Sequence, residues 1–217
     1  ALGIFDPFSI EASVPRVPYV ADFTPAPVYE ESYPPSSYVT YKFRPSKIND
    51  SEVKMIWMDG GIRPSHPEII TDKDQIGDNG ILMLGENGLI WSDYYGVNAR
   101  LYIKGQKGAV EVGKISEINS VEFGHQKHWV DAIKAGFGSE EHMNLTSNFD
   151  FAGPLSEIVL LGNAAIRSSL LKRSPRSNIY IGRKQLLYDS KKMEITNLDQ
   201  ANQFLTRKYR DGWDLNV

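Results

Sequence analysis

The stretch from Asn148 to Leu171, NFDFAGPLSEIVLLGNAAIRSSLL, constrains what this chain can fold into more than any other. Pro154 suits the first turn of a helix, because its φ is already helical and its missing N–H has no use there, so the sequence predicts a helix starting at about this residue. From Leu155 onward, Ile158, Val159, Leu160, Leu161, Ala164, Ala165, Ile166 and Leu170 leave almost no polar face, the pattern of a helix covered on several sides. Glu157, Gly162, Asn163 and Arg167 interrupt the run, which argues against a membrane span. The expectation is a central packed helix.

Around it the pattern is mostly that of strands. Phe8–Ser13, Tyr38–Phe43 and Val53–Met58 alternate or cluster β-formers, and the last two are expected to pair antiparallel. Most of the 12 prolines lie before Tyr38, so residues 18–37 read as an extended connection. Ile81–Ser92 reads as a hairpin, with Asn87-Gly88 suited to a tight primed turn, and Arg100–Lys104 as a further strand. Phe123–Ala135 reads as an amphipathic helix with Trp129, Val130 and Ile133 inward and Gly136 as its stop. Strand-like segments follow at Ile179–Tyr188 and Met193–Thr196, then a final helix from about Asp199 carrying Leu198, Ala201, Phe204 or Leu205, and Tyr209. Strands dominate the first half and helices the second, without β-α-β alternation. The expected class is therefore α+β, a single domain with a large open, mostly antiparallel sheet and helices packed on one face.

Charge and cysteine content narrow the partners. A net charge of −3 supplies no electrostatic reason to expect nucleic acid or an anionic membrane. No cysteine is present, which excludes disulfides, thiolate metal sites and a cysteine nucleophile but leaves the compartment open. The chain begins ALGIFDPFSIEAS, without an initiator Met or the signature of a signal peptide, as a processed product or a fragment would.

Several motifs fail on their own chemistry. Gly108 to Lys114, GAVEVGK, has phosphate-loop spacing, but Ile115 stands where a Mg²⁺-binding hydroxyl belongs and AVEV is strand-like. Gly136-Phe137-Gly138 follows a helix rather than a strand and lacks the third glycine of a dinucleotide fingerprint. His125 and His128 sit one helical turn apart, yet no acidic residue completes a ligand set, so no metal is expected. Asn49-Asp50-Ser51 and Asn144-Leu145-Thr146 are glycosylation sequons, informative only for a secreted eukaryotic protein. The better candidates are polar loop residues. Tyr94, Tyr95, Asn98 and Arg100 combine hydroxyl, amide and guanidinium groups, as a polyhydroxylated ligand requires, and Asp59, Arg63 and His66 form a weaker group of the same kind.

Five stretches together carry a resemblance: FDFAGPLSEIVLLGNAAIR, HQKHWVDAIKAG, DNGILMLGENGLIWSDYYGVNARL, WMDGGIRPSHPE and IGRKQLLYDSKKMEITNLDQANQFLTRKYRDGW. They resemble, in order and over nearly the whole chain, the C-terminal half of bacterial Gfo/Idh/MocA-type oxidoreductases of the kind common in Bacteroidetes. The resemblance implies an α+β domain that binds substrate and supports oligomer contacts through its sheet face. It also implies a separate N-terminal Rossmann domain that holds NAD or NADP and supplies a Glu-Lys-Pro motif with the catalytic lysine. The opening Ala-Leu-Gly resembles the point where the family's chain leaves that domain. Residue by residue, the resemblance places His125 near substrate and matches Tyr95 to the family's tyrosine loop, with Asn98 and Arg100 following it. Relatives often carry an acidic residue just before the helix aromatic, where this chain has His128.

The expected function is thus the substrate-binding and oligomerising part of an NAD(P)-dependent oxidoreductase acting on a sugar, polyol or related small molecule. His125 and Tyr95 are its catalytic candidates, and Asn98, Arg100, Tyr94, Arg63, His66 and Asp150 its substrate-binding candidates. The cofactor is expected in the absent domain, the partner is a second copy of the chain, and the compartment is the cytoplasm or periplasm of a bacterium. Two alternatives remain open at this stage: an NAD-using glycoside hydrolase of the same superfamily, and a non-catalytic binding or assembly module.

Overall fold

A computed structural model describes residues 3–15, 32–71, 76–110, 124–145 and 147–213. The chain divides into two compact units, the first made of residues 1–62 and 147–217, the second of residues 63–146. The fold is mixed α+β, and every pairing within its sheets is antiparallel. In place of the single large sheet read from the sequence, the strands form two sheets, one of five strands and one of three.

The first unit holds β1 (Pro7–Ser13), β2 (Tyr38–Phe43), β3 (Val53–Met58), β7 (Leu186–Asp189) and β8 (Glu194–Ile195), in the order β3-β2-β1-β7-β8. Alternation in YVTYKF buries Val39, Tyr41 and Phe43 on one face and leaves Tyr38, Thr40 and Lys42 on the other. The strand after it keeps register, setting Val39 opposite Trp57, Tyr41 opposite Met55 and Phe43 opposite Val53. The first strand joins the last part of the chain, Ile10 lying opposite Leu186 and the Ser9 hydroxyl accepting from the Gln185 amide at 2.7 Å.

Helix α3 (Phe149–Ser168) packs on β1 and β2. It begins five residues before Pro154, because the Asn148 side chain caps it by accepting from the Phe151 N–H at 3.1 Å. Pro154 therefore lies inside the helix and forgoes the bond its N–H would have made to the Asp150 carbonyl. Length and hydropathy would let α3 cross a bilayer, but one side of it is built for the sheet. Ile158, Leu161, Ala165 and Ile166 are buried with Ile10, Val39, Phe43, Leu186 and Ile195. Gly162 admits the close approach: a Cβ there would stand 2.2 Å from the Tyr41 hydroxyl. Contrary to the expectation of cover on several sides, Phe149, Val159 and Leu160 on the outer side are exposed.

The final helix is also shorter than the sequence pattern predicts. Asp199–Phe204 forms a 3-10 helix that buries Ala201, and Tyr209 falls beyond it. Asn202 explains the tight turn, since its side chain donates to the Ile195 carbonyl at 3.0 Å and accepts from the Ile195 N–H at 2.7 Å. That clamp ties the turn to β8 instead of letting it propagate as an α-helix.

The second unit contains β4 (Ile81–Gly85), β5 (Gly88–Ser92) and β6 (Arg100–Ile103), with α1 (Gly124–Ala135) packed on α2 (Glu140–Met143). The hairpin is present but its turn is displaced by one residue. Gly85 pairs with Gly88, so Glu86 and Asn87 form the loop, and neither has positive φ as a primed turn requires. Gly88 serves the next strand, because a Cβ there would lie 2.0 Å from the Tyr102 carbonyl. Leu89, Trp91 and Tyr102 form a small core with Ile70. In α1 the three residues read as inward, Trp129, Val130 and Ile133, are exposed. The proline-rich stretch expected over 18–37 lies largely outside the described residues, as does most of GAVEVGK.

Two predictions follow from the seat of α3. Gly162→Ala gains about 1 kcal/mol of helix propensity but overpacks the Tyr41 contact at about 1–3 kcal/mol, so its urea midpoint falls. Adding Tyr41→Phe removes the clashing hydroxyl and restores part of the loss; a double variant no more stable than Gly162→Ala contradicts the contact. Burial also pushes the Tyr41 hydroxyl up from the ordinary value of 10.0 to about 12. Burial first, and then its bond to Glu157, raise that of Tyr188 as well. A raised folded value means that stability is complete below about pH 10 and is lost as pH climbs through about 12. Alkaline titration of the melting temperature is expected to fall in that window, less steeply in Tyr41→Phe.

Candidate functional site

The polar loop after β5 is the best-formed candidate. Asp93 precedes a single 3-10 turn, Tyr94–Gly96, and the chain returns through Val97, whose carbonyl accepts from the Asp93 N–H at 3.0 Å. Asn98 takes φ +52, a conformation Asn tolerates better than most residues, and its side-chain amide donates to the Asp93 carboxylate at 2.7 Å. Arg100 opens β6 and lays its guanidinium 4.6 Å from the centre of the Trp91 ring. Tyr94 is exposed, whereas the Tyr95 side chain lies outside what the structure describes. The loop thus presents a phenol beside an amide–carboxylate pair that is already engaged. The Asp93 carboxylate keeps acceptor positions beyond its bond to Asn98 that a hydroxyl ligand can fill.

The second predicted group does not act as one set. Asp59 accepts from the Ser37 N–H at 2.5 Å, from the Ser37 hydroxyl at 2.8 Å and from the Trp57 indole N–H at 3.0 Å. These bonds close the end of β3 onto the segment before β2 and hold an exposed indole in one orientation. Gly60 completes the closure, since a Cβ there would meet the Pro35 carbonyl at 2.1 Å. In the other unit, Arg63 pairs with Asp78 at 2.8 Å, both largely exposed, and shares a shallow cavity with His66, Pro64 and Ile76. Surface ion pairs of this kind add little stability, about 0–1 kcal/mol.

His125 and His128 are both exposed on α1. Between them Lys127 donates to Asp131, and that bond holds the Asp131 carboxyl below the usual carboxylate range. Among the described residues no group of three His, Asp or Glu side chains is placed to hold a metal. Helix α1 packs on α2, so His125 is presented on a different element from Tyr94. Asp150 occupies the exposed first turn of α3, where a carboxylate favourably faces the helix N-terminus without any ligand. Gly136 and Gly138 take φ of +92 and +83 in the turn between α1 and α2, conformations of a helix stop rather than of a phosphate cradle.

Sequence reading missed two features here. The Asp59–Ser37–Trp57 knot joins residues 22 apart, and only the run Trp57-Met58-Asp59-Gly60-Gly61 hinted at it. A second cavity, of about 550 Å³, lies by the β4–β5 turn, lined by Glu68, Ile69, Leu84, Leu89 and Lys104. It was hidden because Lys104 reaches back to the Glu86 carbonyl, a contact with no periodic signature.

The class defined by this geometry is an α+β protein with antiparallel sheets and few helices. No family model matches the chain, and no curated protein matches it either.

The loop makes a separable prediction. Asn98→Ala loses both the bond to Asp93 and a residue suited to positive φ, costing about 1–3 kcal/mol. Asn98→Gly keeps the backbone freedom and costs less. Equal melting temperatures for the two variants would remove the strained turn from this account.

Proposed function

We propose that these residues form the substrate-binding and oligomerising part of an NAD(P)-dependent oxidoreductase of the Gfo/Idh/MocA type, acting on a sugar, polyol or related compound. The observation that carries this reading is the resemblance of five separate stretches, in order, over nearly the whole chain. An antiparallel α+β fold with a helix on one sheet face is compatible with it.

The cofactor would be held mainly by a Rossmann domain not contained in these residues, and when bound it supplies hydride acceptance or donation. What the present residues contribute is recognition and proton handling. An exposed imidazole at His125 can orient a substrate hydroxyl or exchange its proton, with Tyr95 as the alternative donor and acceptor. Tyr94, Asn98 and Arg100 offer further hydroxyl, amide and guanidinium groups to a polyol, and Arg63 with His66 a guanidinium and an imidazole. The face of the five-stranded sheet away from α3 carries Tyr38, Thr40, Lys42, Ile56 and Met58, a mixed surface suited to contact with a second copy.

The test uses the full-length gene product. A panel of sugars and polyols is assayed by NAD(P)H absorbance, and His125→Ala is expected to lower kcat by about a hundredfold with an unchanged melting temperature. Retained activity in that variant removes His125 from the reaction. Release of aglycone from aryl glycosides without net cofactor reduction would replace the dehydrogenase reading with the hydrolase.

A further inference from the structure

The strongest charge asymmetry in the chain lies where neither the fold nor the proposed reaction uses it. Between Ile158 and Tyr188 there are six cations, Arg167, Lys172, Arg173, Arg176, Arg183 and Lys184, and no acidic residue; all 27 acidic residues lie elsewhere. A protein of net charge −3 therefore carries one strongly basic segment on an otherwise acidic chain.

Five of these cations stand on or beside one ordered hairpin. Lys172 bridges Tyr180, Arg173 N–H donates to the Ile179 carbonyl at 2.9 Å, and Ile181 N–H donates to the Leu171 carbonyl at 2.9 Å. At the tip Ser177 N–H closes on the Ser174 carbonyl at 2.9 Å, with Pro175 setting the turn. Arg183 lies 3.7 Å over the Tyr180 ring and donates to the Ser169 carbonyl, while the Lys172 ammonium approaches the same ring at 5.6 Å. Leu171 and Ile181 root the hairpin in the core, and Arg173, Ser174, Pro175 and Arg176 are exposed.

Like charges on one short hairpin repel one another. Among the described residues none of Lys172, Arg173, Arg176 and Lys184 lies within ion-pair distance of a carboxylate. The C-terminus of α3, where Arg183 bonds, carries only about half a negative charge.

We infer that this hairpin is a docking surface for an acidic protein segment, a use that does not depend on the proposed reaction. Three arginines and an exposed Ile179 supply the guanidinium and apolar groups found in protein interfaces. Guanidinium groups pair bidentately with carboxylates. Nucleic acid fits less well, because Lys172 and Arg183 already crowd the Tyr180 ring that would stack a base, and the acidic remainder repels a long polyanion. An anionic bilayer fits less well because the tip, Ser174 to Asn178, contains no large apolar side chain to insert.

A fluorescein-labelled decaglutamate peptide titrated into the intact chain tests the inference by anisotropy. Binding is expected to weaken as salt rises to about 150 mM. R173E/R176E is expected to weaken it by about tenfold or more, whereas K54E, on β3, changes it by less than about twofold. If the double reversal fails to fold by circular dichroism, R173Q/R176Q takes its place with the same expected direction. Peptide binding that ignores the tip substitutions overturns the inference. Tighter binding to a DNA oligonucleotide or to phosphatidylserine vesicles, or salt-sensitive self-association lost in the double variant, overturns the assignment of an acidic partner segment.

Discussion

The first unit depends on the seating of α3 against β1 and β2. Burying Ile158 and Leu161 against the sheet stabilises by about 1.5–3 kcal/mol each, against about 1 kcal/mol lost by placing glycine in the helix. Gly162 is therefore tolerated for what it permits: the helix comes close enough to touch the Tyr41 hydroxyl and to pack Ala165 into the core. Tyr188, on β7, adds a directional tie by donating to Glu157 at 2.8 Å. The strands gathered beneath the helix include both the first and the last of the chain, so one seat organises segments that share no local contact.

Helical burial was harder to read than strand alternation, and the reason is geometrical. YVTYKF announces its buried face through a period of two, and both it and VKMIWM fall on the residues expected. In α3 and α1 the apolar residues show that a helix forms but not what will cover each side. Phe149, Val159 and Leu160 in one helix, and Trp129 and Ile133 in the other, are exposed in spite of their composition. Turn positions were displaced for a related reason. Asn148 overrode Pro154 as the start of α3, and the close approach of β6 rather than a primed turn accounts for Gly88. Each of these outcomes rests on a contact with atoms distant in sequence or on a side-chain cap that competes with a stronger-looking residue.

The polar candidates divide by the same criterion. Asp93, Tyr94 and Asn98 are neighbours in sequence, and the loop keeps them together as that proximity implied. Asp59 was grouped with Arg63 and His66 by spacing, yet its carboxylate accepts three bonds from Ser37 and Trp57. A carboxylate offers about four acceptor positions, so the knot leaves roughly one of them for any ligand. The basic hairpin escaped notice because its cations are spread among serines, apolar residues and a proline. The absence of acids over a long window is a weaker signal than a run of lysines.

The pairing of Ile10 with Leu186 carries a consequence for biosynthesis. The sheet of the first unit cannot close until Gln185 has left the ribosome, because Ser9 and Gln185, which bond across it, are 176 residues apart. Residues 63–146, by contrast, are contiguous and contain both edges of their own sheet. During vectorial synthesis the inserted unit has all its strands available while β1 still waits for β7. The order of emergence thus sets a period in which the Val39, Tyr41 and Phe43 face lacks its helix.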